Sequence, residues 1–386
     1  MKFSSHPLWL VGFRPFFTLA CLAGLALPVL WTLVFSGAVT LPGSPVSPTQ
    51  WHAHEMFFGF GWAVLGGFLL TSTKNWVQIR GYRGPALMAL AGAWVFERLG
   101  MAWGGNWPGM LFRLSNNLFL GLIVTMLLWT LIRHRKTDSY ADNGFFLVIL
   151  PLFLAAKYLL LDAATFAAGW TMALGLFRVA FLVMLERTLT PFMKGAFQVD
   201  LPRLSWLDKP IKLLALALVG EAALPGGLAA ALACLLATLL LVRFALWHPR
   251  RALTRIDIGI MYLGYLAIVA QLVLAAWTHL AAPGWVGSLP THVFTFGAMG
   301  LIVPAMLVRI SKGHTGRKVV FETADKTALW IMIAAFAARV LGPQLYPAAY
   351  GHWIHLAAAG WFACFALLGW RYVPFLLRPR IDGKEH

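Results

Sequence analysis

The sequence predicts an all-α, polytopic membrane protein with twelve transmembrane helices. Composition is the first reason: 60% of the 386 residues are hydrophobic and only 12% are charged, and the mean hydropathy is +0.74. Water-soluble domains do not have that balance. The second reason is a series of apolar windows, each near the roughly 20 residues that a helix needs to cross a bilayer core. The third is the alternation of basic and uncharged loops between them.

The windows fall near 13–35, 53–73, 84–103, 110–132, 144–161, 165–187, 207–223, 226–247, 256–279, 290–310, 324–342 and 350–373. The first is longer than a usual signal-peptide core and is followed by further spans, so it reads as an uncleaved helix. The second opens on the run WHAHEM (51–56). The third to sixth carry intramembrane polar residues: Glu97 and Arg98, Arg113 with Asn116 and Asn117, Lys157, then Arg178. The seventh is the weakest. The ninth ends at His279, the tenth opens at His292, the eleventh carries Arg339 and the twelfth opens with His352 and His355.

Of the 31 basic residues, 26 lie on one side of this alternation, beginning with Lys2 and Arg14 and ending with Arg378, Arg380 and Lys384. Loops on the other side are nearly free of charge; SGAVTLPGSPVSPTQ (36–50) has none. The positive-inside rule then puts both termini in the cytoplasm. With no long hydrophilic block, residues 1–386 read as a single membrane domain. A net charge of +17 invites a nucleic-acid partner, but its distribution over short loops rejects one in favour of the bilayer. Cys21, Cys234 and Cys364 each sit in an apolar run and form no C-x-x-C pair, so neither a disulfide framework nor covalent haem attachment is indicated.

Six of the eleven histidines, His52, His54, His279, His292, His352 and His355, are expected at one depth on the outer side. A titratable ring is costly in hydrocarbon unless partnered, so a metal or cofactor layer is expected there. His52 and His54 point roughly 200° apart on a regular helix. Either the first turn is unwound or the two rings serve different sites, such as haem and copper. Thr291 is a candidate N-cap beside His292, and Gly297 and Gly300 leave room for a neighbouring helix or a flat ring. His352 and His355, spaced i, i+3, share a helix face and suit joint ligation of one copper or zinc ion. Arg98 and Arg339 need anionic partners; haem propionates fit the guanidinium fork, and Glu55 and Glu97 are the protein alternatives.

HEMFFG (54–59) and HVFTFG (292–297) are similar, and each histidine is followed twenty residues later by a lysine, Lys74 or Lys312. WTMALG (170–175) stands in the same place in the sixth window. Helices 2, 6 and 10 then suggest a pseudo-threefold arrangement of four-helix units. That arrangement resembles the catalytic subunit of haem-copper oxidases, in architecture only.

FRPFF (13–17), WHAHEMFFGF (51–60), GFLLT (67–71), FGAMG (296–300), KGHTGR (312–317) and YVPFLLRPRIDG (372–383) together resemble the NnrS family from end to end. The resemblance implies a bacterial inner-membrane protein with haem and copper, tied to nitric oxide and nitrosative stress. Its histidine motif falls on His52 and His54, its helix-10 histidine on His292, and its cytoplasmic turn includes His314. The resulting expectation is a b-type haem near the periplasmic face that binds or handles nitric oxide. His54 and His292 are the expected axial ligands; a copper site at His52 with His352 or His355 is inferred from the residues themselves, since His352 and His355 are not part of the resemblance. The competing class is a twelve-helix secondary transporter for a small anion or metabolite, which predicts polar groups at mid-membrane rather than near one face. KGHTGR reads as a plain polar turn at a helix end; the alternative is that its glycines allow a tight turn whose backbone N–H groups cradle an anion.

Overall fold

The computed structural model describes residues 3–41 and 43–385; Lys2 and His386 lie outside them. Among the described residues the chain is helical and has no strand. Twelve long helices follow in order. They are α1 (Phe13–Phe35), α2 (Pro48–Trp76), α3 (Pro85–Trp103), α4 (Gly109–Arg133), α5 (Gly144–Leu161) and α6 (Phe166–Phe197). Then come α7 (Ser205–Ala217), α8 (Gly226–Leu246), α9 (Ile256–Leu280), α10 (Leu289–Gly313), α11 (Thr323–Leu345) and α12 (Tyr350–Leu376).

Ten of these are long and apolar enough to cross a membrane, so this is a multi-pass membrane protein. The exceptions are α3 and α7. Helix α3 has 19 residues, but Glu97 and Arg98 lie within it. Helix α7 has only 13 residues. It continues as a 3-10 turn over Leu218–Ala223, where Gly220 leaves helical geometry, and Pro225 lies just beyond. The expected 207–223 span is therefore shorter than its apolar composition suggests.

The helices form two compact units. One holds the chain through Gly169, Leu307–Val320 and the tail from Phe365 onward. In it, α2 packs closely on α1 and α4: a Cβ on Gly67 would lie 2.7 Å from Phe16, and one on Gly66 would lie 2.6 Å from Ile123. Small residues at such crossings are how helices approach in lipid. The other unit holds Trp170–Met306 and Phe321–Cys364. Its core runs along α8, α9 and the first half of α10.

Two helices share an irregularity. In α2, seven residues of α-helix (Pro48–His54) give way to a π-helix over Glu55–Gly61. In α10, the α-helical turn Leu289–His292 gives way to a π-helix over Val293–Met299. Each π segment has seven residues and begins directly after the histidine of the H-x-x-x-F-G motif. Each helix also starts on a serine, Ser47 or Ser288, with proline in the first two positions. The cap of α10 is thus Ser288; Thr291 lies inside the helix. Helix α6, the third candidate repeat, is assigned as α-helix over its whole length, so the shared feature does not extend to it.

Candidate functional site

In the first unit, His54 is completely buried. Its Nδ1 lies 3.1 Å from Glu55 Oε1, and its Nε2 lies 3.2 Å from Glu97 Oε1 on α3. Nε2 meets Glu97 as an ion-pair contact, and Glu97 Oε2, which takes no part in it, is a buried atom without a hydrogen bond. Glu55 is held by Arg98, whose Nε lies 2.8 Å from Oε2. Glu97 is held by Lys157 from α5, which also donates to the Asn116 carbonyl on α4. Arg98 Nη2 stands 3.3 Å from Glu97. Two carboxylates and two cations therefore balance beside one imidazole, the condition under which charge survives burial.

The π turn belongs to this arrangement. A π-helix sets carbonyls out of the regular ladder, and such segments gather at functional sites. Trp94 Nε1 donates to the Gly59 carbonyl at 3.0 Å, and Arg98 Nη1 to that of Phe58 at 3.3 Å. Helix α3 thus takes up the loosened backbone of α2.

The helix stays α-helical through His54, so its first turn is not unwound. The rings at 52 and 54 meet different surroundings. His52 is half-buried and stacks on Trp31 of α1 with centroids 4.1 Å apart.

In the second unit, His292 is half-buried. Its Nδ1 lies 3.0 Å from the Ser288 carbonyl and 2.9 Å from Ser288 Oγ. A carbonyl can only accept, so Nδ1 carries the proton and Nε2 carries the lone pair. Arg339 from α11 brings Nη2 within 3.3 Å of both ring nitrogens. Its guanidinium also stands 5.9 Å from the Tyr350 ring centroid. Arg339 is 8% exposed, and neither of these partners is an anion. Space over the two glycines is filled by protein: a Cβ on Gly297 would meet Ala267 and Phe336, and one on Gly300 would meet Trp361.

A family model described as NnrS protein matches residues 7–380. The chain belongs to the NnrS family. No curated protein matches it.

Haem and copper are what an NnrS chain is expected to hold, and the residues can be tested against each. For haem they fit. Both motif histidines have Nδ1 held by an acceptor, which orients the ring as it does in metal-ligating histidines. His54 Nε2 makes no hydrogen bond although it lies beside Glu97, and Arg339 is a buried cation whose contacts are the His292 ring and Tyr350. For copper they do not fit. Among the described residues no three His, Cys, Asp or Glu side chains converge as metal ligands. His352 and His355 are both exposed, and His355 Nδ1 bonds the Gly351 carbonyl at 2.8 Å.

The other predicted polar residues fall into structural roles. His279 Nε2 lies 3.0 Å from Glu221. Arg178 donates to Gln271 at 2.9 Å and stands 3.7 Å from Glu221. Arg98, weighed between propionate and protein partners, is taken by Glu55. Sequence reasoning left Lys157 and Asn116 without a role and missed Ser288. Signals for both exist: three charges at 97, 98 and 157 in apolar windows demand mutual pairing, and a serine four residues before a histidine is one helical turn away.

Proposed function

We propose that this NnrS-family protein is a b-type haem protein of the bacterial inner membrane that binds or handles nitric oxide. The family supports a role in the nitric oxide response. The observation that carries the haem reading is the arrangement shared by His54 and His292. Each closes an α-helical turn at the start of a π segment and has Nδ1 engaged by an acceptor.

In this reading His54 and His292 are iron ligands, each argued from its own unit. Glu55 and Ser288 hold the two rings in orientation. Arg339 binds a haem propionate through its guanidinium fork. Arg98 is a positioning residue that fixes Glu55 against His54. Full burial of His54 excludes water from its ring. When bound, the haem supplies an iron centre whose axial and distal surroundings determine its behaviour toward nitric oxide.

The reading takes all twelve helices as membrane spans. Internal pairing of Glu97 lets α3 cross despite its charges, and the 3-10 turn lengthens α7. Both termini are then cytoplasmic, and the histidines lie toward the periplasm. Protein purified from haem-replete cells should show a b-type haem spectrum that shifts when nitric oxide is added. Protein that folds but holds no iron porphyrin overturns the proposal.

A further inference from the structure

Three sequence runs that the haem reading leaves unused meet in the first unit. They are the start of α1, the turn 312–317 after α10, and the tail 376–382. The Phe13 and His314 rings lie 5.2 Å apart. Arg380 Nη1 donates to the His314 carbonyl at 3.0 Å, and the Ile381 amide donates to the Thr315 carbonyl at 3.2 Å. Arg317 stands 3.9 Å over the Phe375 ring. The tail therefore straps the turn.

Arg14 lies inside this junction with 0% exposure. Its Nη1 donates to the carbonyls of Leu376 at 2.9 Å and Arg378 at 2.7 Å. Its Nε and Nη2 are buried and make no hydrogen bond. The charges acting on it are themselves cations, Arg380 and Arg317. Local acids are already engaged. Asp382 accepts from Arg380 through both oxygens, and Glu385 pairs with Arg80 and Arg83. Burial first, and then Lys74, Arg380 and Arg14, push the His314 imidazole down to about 4. Its ring is neutral at pH 7, in a region whose field is strongly positive.

The backbone of the turn is closed to a ligand. The amides of His314, Thr315, Gly316 and Arg317 each donate to a carbonyl between Ile310 and Gly313. KGHTGR is therefore the plain polar turn that its sequence favours, and the alternative backbone anion cradle is not formed. What remains is a buried guanidinium with two nitrogens unfilled and cations around it, a costly arrangement without a counter-charge. Its place near the start of α1 adds the positive end of a helix.

We propose that Arg14, flanked by Arg317 and Arg380, forms a binding site for one phosphate-type oxyanion. Two unfilled N–H groups of one fork match two oxygens of such a group. Lys74 marks the depth of the site. It follows His54 by twenty residues, roughly 30 Å of helix, about one hydrocarbon thickness. The site thus lies at headgroup level on the face opposite His54. The oxyanion is either the phosphodiester of an anionic lipid or free phosphate.

The test follows thermal unfolding of the full-length protein in neutral detergent, titrated with sodium phosphate against sodium chloride at equal ionic strength. A second arm compares nanodiscs of phosphatidylcholine with and without phosphatidylglycerol. A phosphate-specific rise in melting temperature identifies a free anion; a rise with phosphatidylglycerol alone identifies a lipid headgroup. Arg14→Met should weaken the response by about tenfold or more. Arg14→Lys and Arg317→Gln, which keep more of the junction, should each weaken it by a smaller factor. No response to either ligand, or variants that all respond like the wild type, overturns the site. His292→Ala protein should respond as the wild type does, so failure of the haem reading leaves this test intact.

Discussion

Around His54, charge is balanced from within the chain. Glu55 faces Arg98, Glu97 faces Lys157, and the ring lies between the two carboxylates. Around His292 the same local construction of serine, proline, histidine and π segment meets a buried Arg339 whose partners are two rings. The difference teaches that one motif serves two ends. In the first pocket carboxylates and cations pair within the chain. The second holds a buried cation between the His292 ring and Tyr350. A histidine motif alone therefore says where an imidazole sits, and the next helix decides what that imidazole is prepared to meet.

The largest effect should come from breaking the paired pocket. Glu97→Gln leaves Lys157 buried without its carboxylate, a loss of about 3–5 kcal/mol. It should appear as a collapse in the yield of monodisperse protein and in melting temperature. The matching change on the other side, Arg339→Gln, removes a buried cation and should leave the melting temperature of haem-free protein unchanged or higher. It should instead weaken haem retention by about tenfold, the order expected for one lost charge-assisted contact. Equal destabilisation by both variants would erase the contrast between the pockets.

A smaller effect separates the two π segments. In Gly297→Ala the new Cβ would lie 2.6 Å from Ala267 Cβ and 2.8 Å from Phe336. Overpacking of that kind costs about 1–3 kcal/mol. In Gly59→Ala the nearest atoms are Arg98 Nη1 at 3.1 Å and Glu55 Oε2 at 3.2 Å. These are side-chain ends that can give a few tenths of an ångström, so the melting temperature should fall less. A larger fall for Gly59→Ala would mean that the Arg98–Glu55 pair is fixed more tightly than the packing around Gly297.

Much of the fold was legible because apolar length is written directly in the chain. The helices from Phe13, Pro85, Gly109, Gly144 and Gly226 begin within two residues of their expected windows. Helix α7, the weakest window in the sequence, is short because of the turn at Gly220, which composition does not register. The similarity of HEMFFG to HVFTFG was visible, but the π turns were not. A π turn adds one residue to a helical turn without changing the residue types that favour it, and its stability comes from partners such as Trp94 on another helix. Candidate histidines were legible as residues. Their states were not, because Glu55, Glu97 and Lys157 come together from three helices, and Ser288 acts through a carbonyl that every residue possesses. For Arg98 and Arg339 the sequence allowed protein or propionate partners equally. Packing puts Glu55 beside the first and the His292 ring and Tyr350 beside the second.

The most direct measurement is the optical spectrum of purified wild-type, His54→Ala and His292→Ala proteins, recorded before and after addition of nitric oxide. The account predicts a b-type haem band in the wild type that nitric oxide displaces, and a shifted or missing band in each variant. Two variants with the wild-type spectrum and the wild-type response would contradict it.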